Sequence, residues 1–154
     1  MADQVDVERA VVIDVPAAAV GDYVFDYRND PEWRNEVDEI IVPEPLEVGC
    51  VVVEHSTFDG EVKLVTPTQL VERTARRAVV RTADAHPYRL SNTRTVEALG
   101  DAATRFTYSL VFDLDLVKQV MDPVPPSEAL AQWYGQRVDV YLKQVKQILE
   151  SMRR

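Results

Sequence analysis

Sulfur and imidazole are scarce in this sequence, which has one cysteine and two histidines among its 154 residues. Cys50 alone excludes an internal disulfide. His55 and His86 stand far apart and Cys50 is in no close motif with either, so the spacing expected of a zinc site is missing and no metal is implied. There is no glycine-rich phosphate loop and no Gly-x-Ser-x-Gly turn, and nothing in the residue pattern calls for a cofactor. Positive charge is also in deficit. Seventeen basic against twenty-six acidic side chains give a formal charge of −9, a poor basis for binding nucleic acid or an anionic membrane surface. No stretch is long and apolar enough for a signal peptide or membrane span, so the expected location is cytoplasmic, without integral membrane association.

What is present starts with Ser127 to Met152. Leu130, Trp133, Tyr134, Val138, Tyr141, Leu142, Val145, Ile148, Leu149 and Met152 recur at steps of three and four, with polar residues between them. This spacing predicts a long amphipathic helix. Pro125 and Pro126 precede it, Ser127 is its expected N-cap, Glu128 suits the first turn, and Arg153 and Arg154 suit the far end of the dipole. At about 1.5 Å per residue it is roughly 38 Å long and needs an equally long apolar floor.

The chain supplies one. Val5 to Val15 alternates in the period of a half-buried strand and stops at Pro16. Ala17 to Arg28 has helical period, and Asp30 followed by Pro31 reads as the N-cap and first residue of a second short helix through Trp33. Strand patterns follow over Val37–Val42, Cys50–Phe58, Glu61–Glu72, Ala78–Thr82, Tyr88–Leu99 and Ala103–Asp115. Asp59-Gly60 and Gly100-Asp101 are the expected hairpin turns, and Pro67 belongs at an edge or bulge. One strand, two short helices, a run of antiparallel strands and a long helix make an α+β layout. No linker or repeat divides residues 1–154, which are read as one domain.

These residues resemble a known family. Val11-Val-Ile-Asp-Val-Pro16, the helix after it and Val24-Phe-Asp-Tyr-Arg-Asn-Asp-Pro-Glu-Trp33 are similar to the opening of the START-like (SRPBCC) superfamily of polyketide cyclases, dehydrases and lipid-transfer proteins. The Gly49 strand start, Val62 to Pro67, the Thr104-Arg-Phe-Thr-Tyr arm and the C-terminal helix extend the match over nearly the whole chain. The resemblance implies a helix-grip fold, in which a curved antiparallel sheet of about seven strands wraps the long helix. It also implies a cavity between sheet and helices.

The aromatic residues either line that cavity or fill the core. Polar residues on apolar faces carry more information. If Phe106, Tyr108 and Leu110 point inward, the hairpin puts Val96, Arg94 and Asn92 on the same face. Arg94 would then need a carboxylate, carbonyl groups or a ligand's anionic or carbonyl head. Alternatively, a bulge turns it outward beside Glu97 and Arg105. His55 alternates with Val51 and Val53 and competes with Cys50, Val52, Glu54 and Ser56 for the inner face, and the pattern leaves both open.

The expected ligand-binding residues are Trp33, His55, Arg94, Tyr108, Phe112 and Trp133, and no catalytic constellation stands out. Three functions fit. The chain binds or carries a small hydrophobic or amphipathic molecule, or it is a polyketide cyclase or dehydratase using the same cavity, or it is an interaction domain whose cavity is filled. The partner in the first reading is that small molecule.

Overall fold

A computed structural model describes residues 4–58, 60–119 and 121–152. Asp59 of the expected hairpin turn, and Arg153 and Arg154 at the expected helix end, lie outside the described residues. Seven antiparallel strands form one sheet in the order β1-β7-β6-β5-β4-β3-β2. They are β1 (Gln4–Ile13), β2 (Val37–Ile41), β3 (Val51–Phe58), β4 (Val62–Arg73), β5 (Arg77–Arg81), β6 (Leu90–Ala98) and β7 (Thr104–Asp113). The helices are α1 (Ala17–Val24), α2 (Asp30–Trp33), α3 (Leu114–Val117) and α4 (Ser127–Met152), with a 3-10 turn at Tyr27–Asn29. The sheet wraps α4, which makes this a helix grip.

Alternation sets the inner face. Val5, Val7 and Ile13 of β1 stand opposite Phe112, Leu110 and Thr104 of β7, and all are buried. Val96, Arg94 and Asn92 of β6 pair with Phe106, Tyr108 and Leu110, so Arg94 enters the interior and not the solvated outer face. From the other side α4 contributes Leu130, Tyr134, Val138, Tyr141, Leu142, Val145 and Leu149, the stripe its 3.6 period requires. Polar contacts tie the end of α4 to the end of β1: Lys146 Nζ donates to the Val12 carbonyl at 2.7 Å, and the Asp14 N–H donates to Glu150 at 2.8 Å.

Four local expectations are corrected. Helix α1 stops at Val24, well short of Arg28. The Phe25 N–H closes its last turn on the Gly21 carbonyl, and Asp26 then accepts from the Arg28 N–H, favouring the tighter turn. Asp30 is the first residue of α2, its carboxylate turned into the core, and Asn29 stands at the N-cap without a side-chain capping bond, its Nδ2 donating instead to the Tyr23 carbonyl at 3.0 Å. Strand β7 ends at Asp113, whose carboxylate accepts from the Arg89 N–H, and Leu114 begins α3. Strand β1 ends at Ile13, two residues before Val15. Pro67 sits in the part of β4 that pairs with β3 but precedes the first β5 partner, Gln69, so its missing N–H costs no bond to β5. No described helix is long and apolar enough to cross a membrane.

Candidate functional site

Between the sheet and α4 lies a cavity of about 90 Å³, or about 880 Å³ of non-atom space when its open mouth is counted. An engineered protein cavity of about 150 Å³ holds benzene, so even a single-ring occupant must extend into this mouth. Most of the wall is apolar. Partly exposed Ile40, Phe58, Leu64, Leu90, Met121 and Trp133 give way inward to buried Val52, Val80, Leu110, Phe112 and Leu130. Arg137 stacks on Trp133 at 4.2 Å and on Phe58 at 5.8 Å, linking α4 to the end of β3.

The polar part of the wall is built around Asp30. Its side chain is fully buried, and it accepts from Arg94 at 2.9 and 2.5 Å and from Arg34 at 3.0 Å. Arg34 also donates to both oxygens of Glu54, at 2.6 and 3.3 Å, and Ser56 Oγ donates to Glu54 at 2.7 Å. Two guanidiniums and two carboxylates therefore form one chain across α2, β6 and β3. Arg94 donates further to the Val24 carbonyl at 2.8 Å and to Asn92 at 3.0 Å, so four of its five N–H groups are engaged. Ala78, opposite it on β5, contributes only a methyl group on that side. Aromatic faces complete the cage, with the Arg94 guanidinium 4.5 Å from the Tyr27 ring, 5.0 Å from Trp33 and 5.6 Å from Tyr108.

The electrostatics follow from burial and pairing. Burial opposes the Glu54 charge, but Arg34 and Ser56 outweigh it and hold the pKa below the ordinary carboxylate range. Burial likewise opposes the Arg94 charge and is outweighed by Asp30, which raises the pKa. Tyr27 and Tyr108 are pushed up to about 12 by burial, so both are neutral hydroxyls at physiological pH. Glu36 is different. It is buried beside this cluster, and loss of hydration raises its pKa. Tyr134 donates to its Oε1 at 3.4 Å, while its Oε2 has no partner among the described residues.

Of the six expected ligand-binding residues, the cavity brings together Arg94, Tyr108, Phe112 and Trp133. Trp33 is outside the wall. It is fully buried as a core plate, with Phe106, Tyr108 and Tyr141 set edge-on at 5.9, 5.9 and 6.2 Å. His55 is also outside, because Val52, Glu54 and Ser56 take the inner face of β3 and His55 stands across from exposed Val65 on the outer one. Arg94 has a protein carboxylate as partner, one of the options its position left open. Asp30, Arg34 and Glu54 were missed as wall residues. The available signals were the i,i+4 spacing of Asp30 and Arg34, and a glutamate at the position between Val52 and Ser56 on one strand face. Among the described residues no group of three or more His, Cys, Asp or Glu is placed to hold a metal.

Comparison with known proteins agrees with this architecture. A solved aromatase/cyclase, Zhui from Streptomyces sp. R1128, superposes with a TM-score of 0.78 at 18% identity, covering 98% of this chain and 96% of that one. A START superfamily protein from Mycobacterium smegmatis gives 0.74 at 15% identity, over 96% of this chain and 98% of that one. The di-domain aromatase/cyclase StfQ from the steffimycin biosynthetic pathway gives 0.75 at 10% identity, covering 97% of this chain and 52% of that one. At such identities the likeness speaks for the fold. No curated protein matches the chain in sequence. The family model for polyketide cyclase/dehydrase and lipid transport matches residues 4–150, so the chain belongs to that family.

Proposed function

We propose that this family member binds a small hydrophobic or amphipathic molecule, its apolar body between the sheet and α4 and its polar end toward Tyr108 and the Asp30–Arg94–Arg34–Glu54 chain. The observation that carries this reading is the contrast within one cavity: a largely apolar wall reaching an open mouth, and a few convergent polar groups set into it. The wall supports carriage better than catalysis. The Glu54 carboxylate is held ionised and the tyrosine hydroxyls are held protonated, so neither is tuned to exchange protons near neutral pH. Burying about 200 Å² of a two-ring body is worth roughly 5 kcal/mol gross, which association costs reduce to modest affinity unless the polar contacts add to it. A cytoplasmic carrier is consistent with the unpaired Cys50.

Trp133 reports on the site because it lines the wall, whereas Trp33 lies behind it. Titration with a panel of apolar alcohols, sterols and aromatic polyketides is expected to shift tryptophan emission, and Trp133→Phe is expected to remove most of the shift. Native mass spectrometry of protein purified from its host should show a retained apolar molecule. If no compound moves the emission and nothing copurifies, the carrier reading fails. A second reading, cyclisation of a polyketide chain, is favoured by the neutral Tyr108 hydroxyl in the wall, a hydrogen-bond donor for a carbonyl. It requires Tyr108→Phe to abolish turnover of a poly-β-ketone while leaving its binding in place.

A further inference from the structure

The charge carried by the cavity wall decides which polar group it accepts. Four charged side chains line it among the described residues, Asp30, Arg34, Glu54 and Arg94, and their formal charges sum to zero. Each cation is paired with a carboxylate, and the buried Arg34 Nε is the guanidinium nitrogen left without a partner among the described residues. Arg94 is spent on Asp30, the Val24 carbonyl and Asn92, and Arg34 bridges Asp30 and Glu54. Behind Arg34 stands a further acidic group, Glu36, and Arg137 is stacked on Trp133 and Phe58 outside the wall.

A carboxylate entering here would lose its water and find both guanidiniums already neutralised. An ammonium would meet two carboxylates already paired. Uncharged groups fare differently. The Tyr108 and Thr66 hydroxyls line the cavity and make no hydrogen bond to the described residues, and the buried Tyr27 hydroxyl has no partner among them. A hydroxyl can donate or accept, so these groups match either an alcohol or a ketone.

We propose that the ligand's polar end is an uncharged hydroxyl or carbonyl, and that the cavity discriminates against a carboxylate or amine on the same body. This rests on the binding function proposed above and narrows its ligand class.

The test is calorimetric titration at pH 7.5 with four compounds sharing one ring system: 2-naphthol, 2-acetylnaphthalene, 2-naphthoate and 2-naphthylmethylammonium. The two neutral compounds are expected to bind at least tenfold more tightly than either ion, and Leu64→Trp, which narrows the mouth, is expected to weaken them. Glu54→Gln leaves the wall with one uncompensated positive charge. It should raise naphthoate affinity at least fivefold relative to acetylnaphthalene. Naphthoate binding to the wild type as tightly as acetylnaphthalene overturns the head-group assignment while the cavity reading stands, as does a Glu54→Gln variant with unchanged preference. Binding of none of the four, or binding indifferent to Leu64→Trp, removes both.

Discussion

Asp30→Asn isolates the role of one carboxylate. Asparagine keeps the shape of the side chain, so what disappears is charge: the fully buried Asp30 accepts two bonds from Arg94, itself 1% exposed, and one from Arg34. Arg34 retains Glu54, but Arg94 retains only the Val24 carbonyl and Asn92, neither of them charged. Removing one partner of a buried pair costs about 3–5 kcal/mol, a large share of the roughly 5–15 kcal/mol that holds a domain folded. For a chain of this size that predicts a fall in Tm of roughly 6–20 °C. Asp30→Asn combined with Arg94→Met removes both charges and should recover most of the loss. The pair therefore makes a double-mutant cycle, read by urea unfolding with far-UV circular dichroism. An Asp30→Asn loss under about 1 kcal/mol, or a double variant no more stable than the single one, would refute the view that Arg94 depends on Asp30 for its charge.

Glu54 and Glu36 should give opposite pH dependences. The lowered pKa of Glu54 means that its stabilisation is present above the unfolded carboxylate value and is lost as pH falls through the folded one, so Glu54→Gln should be destabilising at pH 7, with the gap closing toward pH 3. The raised pKa of Glu36 works the other way: its contribution is present below the unfolded value and lost as pH rises through the folded one. Glu36→Gln should therefore match the wild type at pH 4 and exceed it at pH 8 in thermal melts. Val145→Asp places a charge at a fully buried site on α4 and should cost several kcal/mol, whereas Lys143→Asp on the exposed face should cost little; equal melting temperatures would disprove the orientation of the helix. Gly135 lies in α4 beneath the Arg9 guanidinium, which a new methyl group would displace. Arg9 is a flexible, half-exposed arm bound to Asp139 at 3.4 Å, so Gly135→Ala should fall within about 1 kcal/mol of the wild type, the helix propensity of alanine offsetting the shift.

The elements legible from sequence are those in which one face is uniformly apolar. Helix α4 and strand β7 approach that character, and β1 keeps it apart from Arg9, whose guanidinium lies over Gly135 of α4; most of their inward residues follow from period alone. Strand β3 does not, because its inner face carries Glu54 and Ser56 to serve Arg34, while Val51 and Val53 occupy the outer one. Val52 and Phe58 on the inner face are matched by Val51 and Val53 on the outer one, so counting apolar residues does not decide which way His55 points. Asp30 was misread for a related reason. A carboxylate before proline has the same local signature whether it caps a helix or reaches into the core, and only the approach of Arg94, sixty-four residues later, separates the two. Tryptophan is ambiguous in the same way: Trp33 is packed on every side, whereas Trp133 faces the cavity, and both stand at turns of amphipathic helices.

Strand β1 pairs along its whole length with β7, and the partner of Ile13 is Thr104. A ribosome adding about 5–20 residues per second takes roughly 5–20 s to travel between those two positions. For the later part of that interval the first strand has left the exit tunnel while the one that will hold it does not yet exist. Its alternating valines are for that time an unpaired, aggregation-prone edge, and α4, which seals the other side of them, is made later still. The curved sheet cannot close progressively from its first strand. Closure waits for the last third of the chain, and the long sequence separation of these contacts places refolding from denaturant in the slow, millisecond-to-second class.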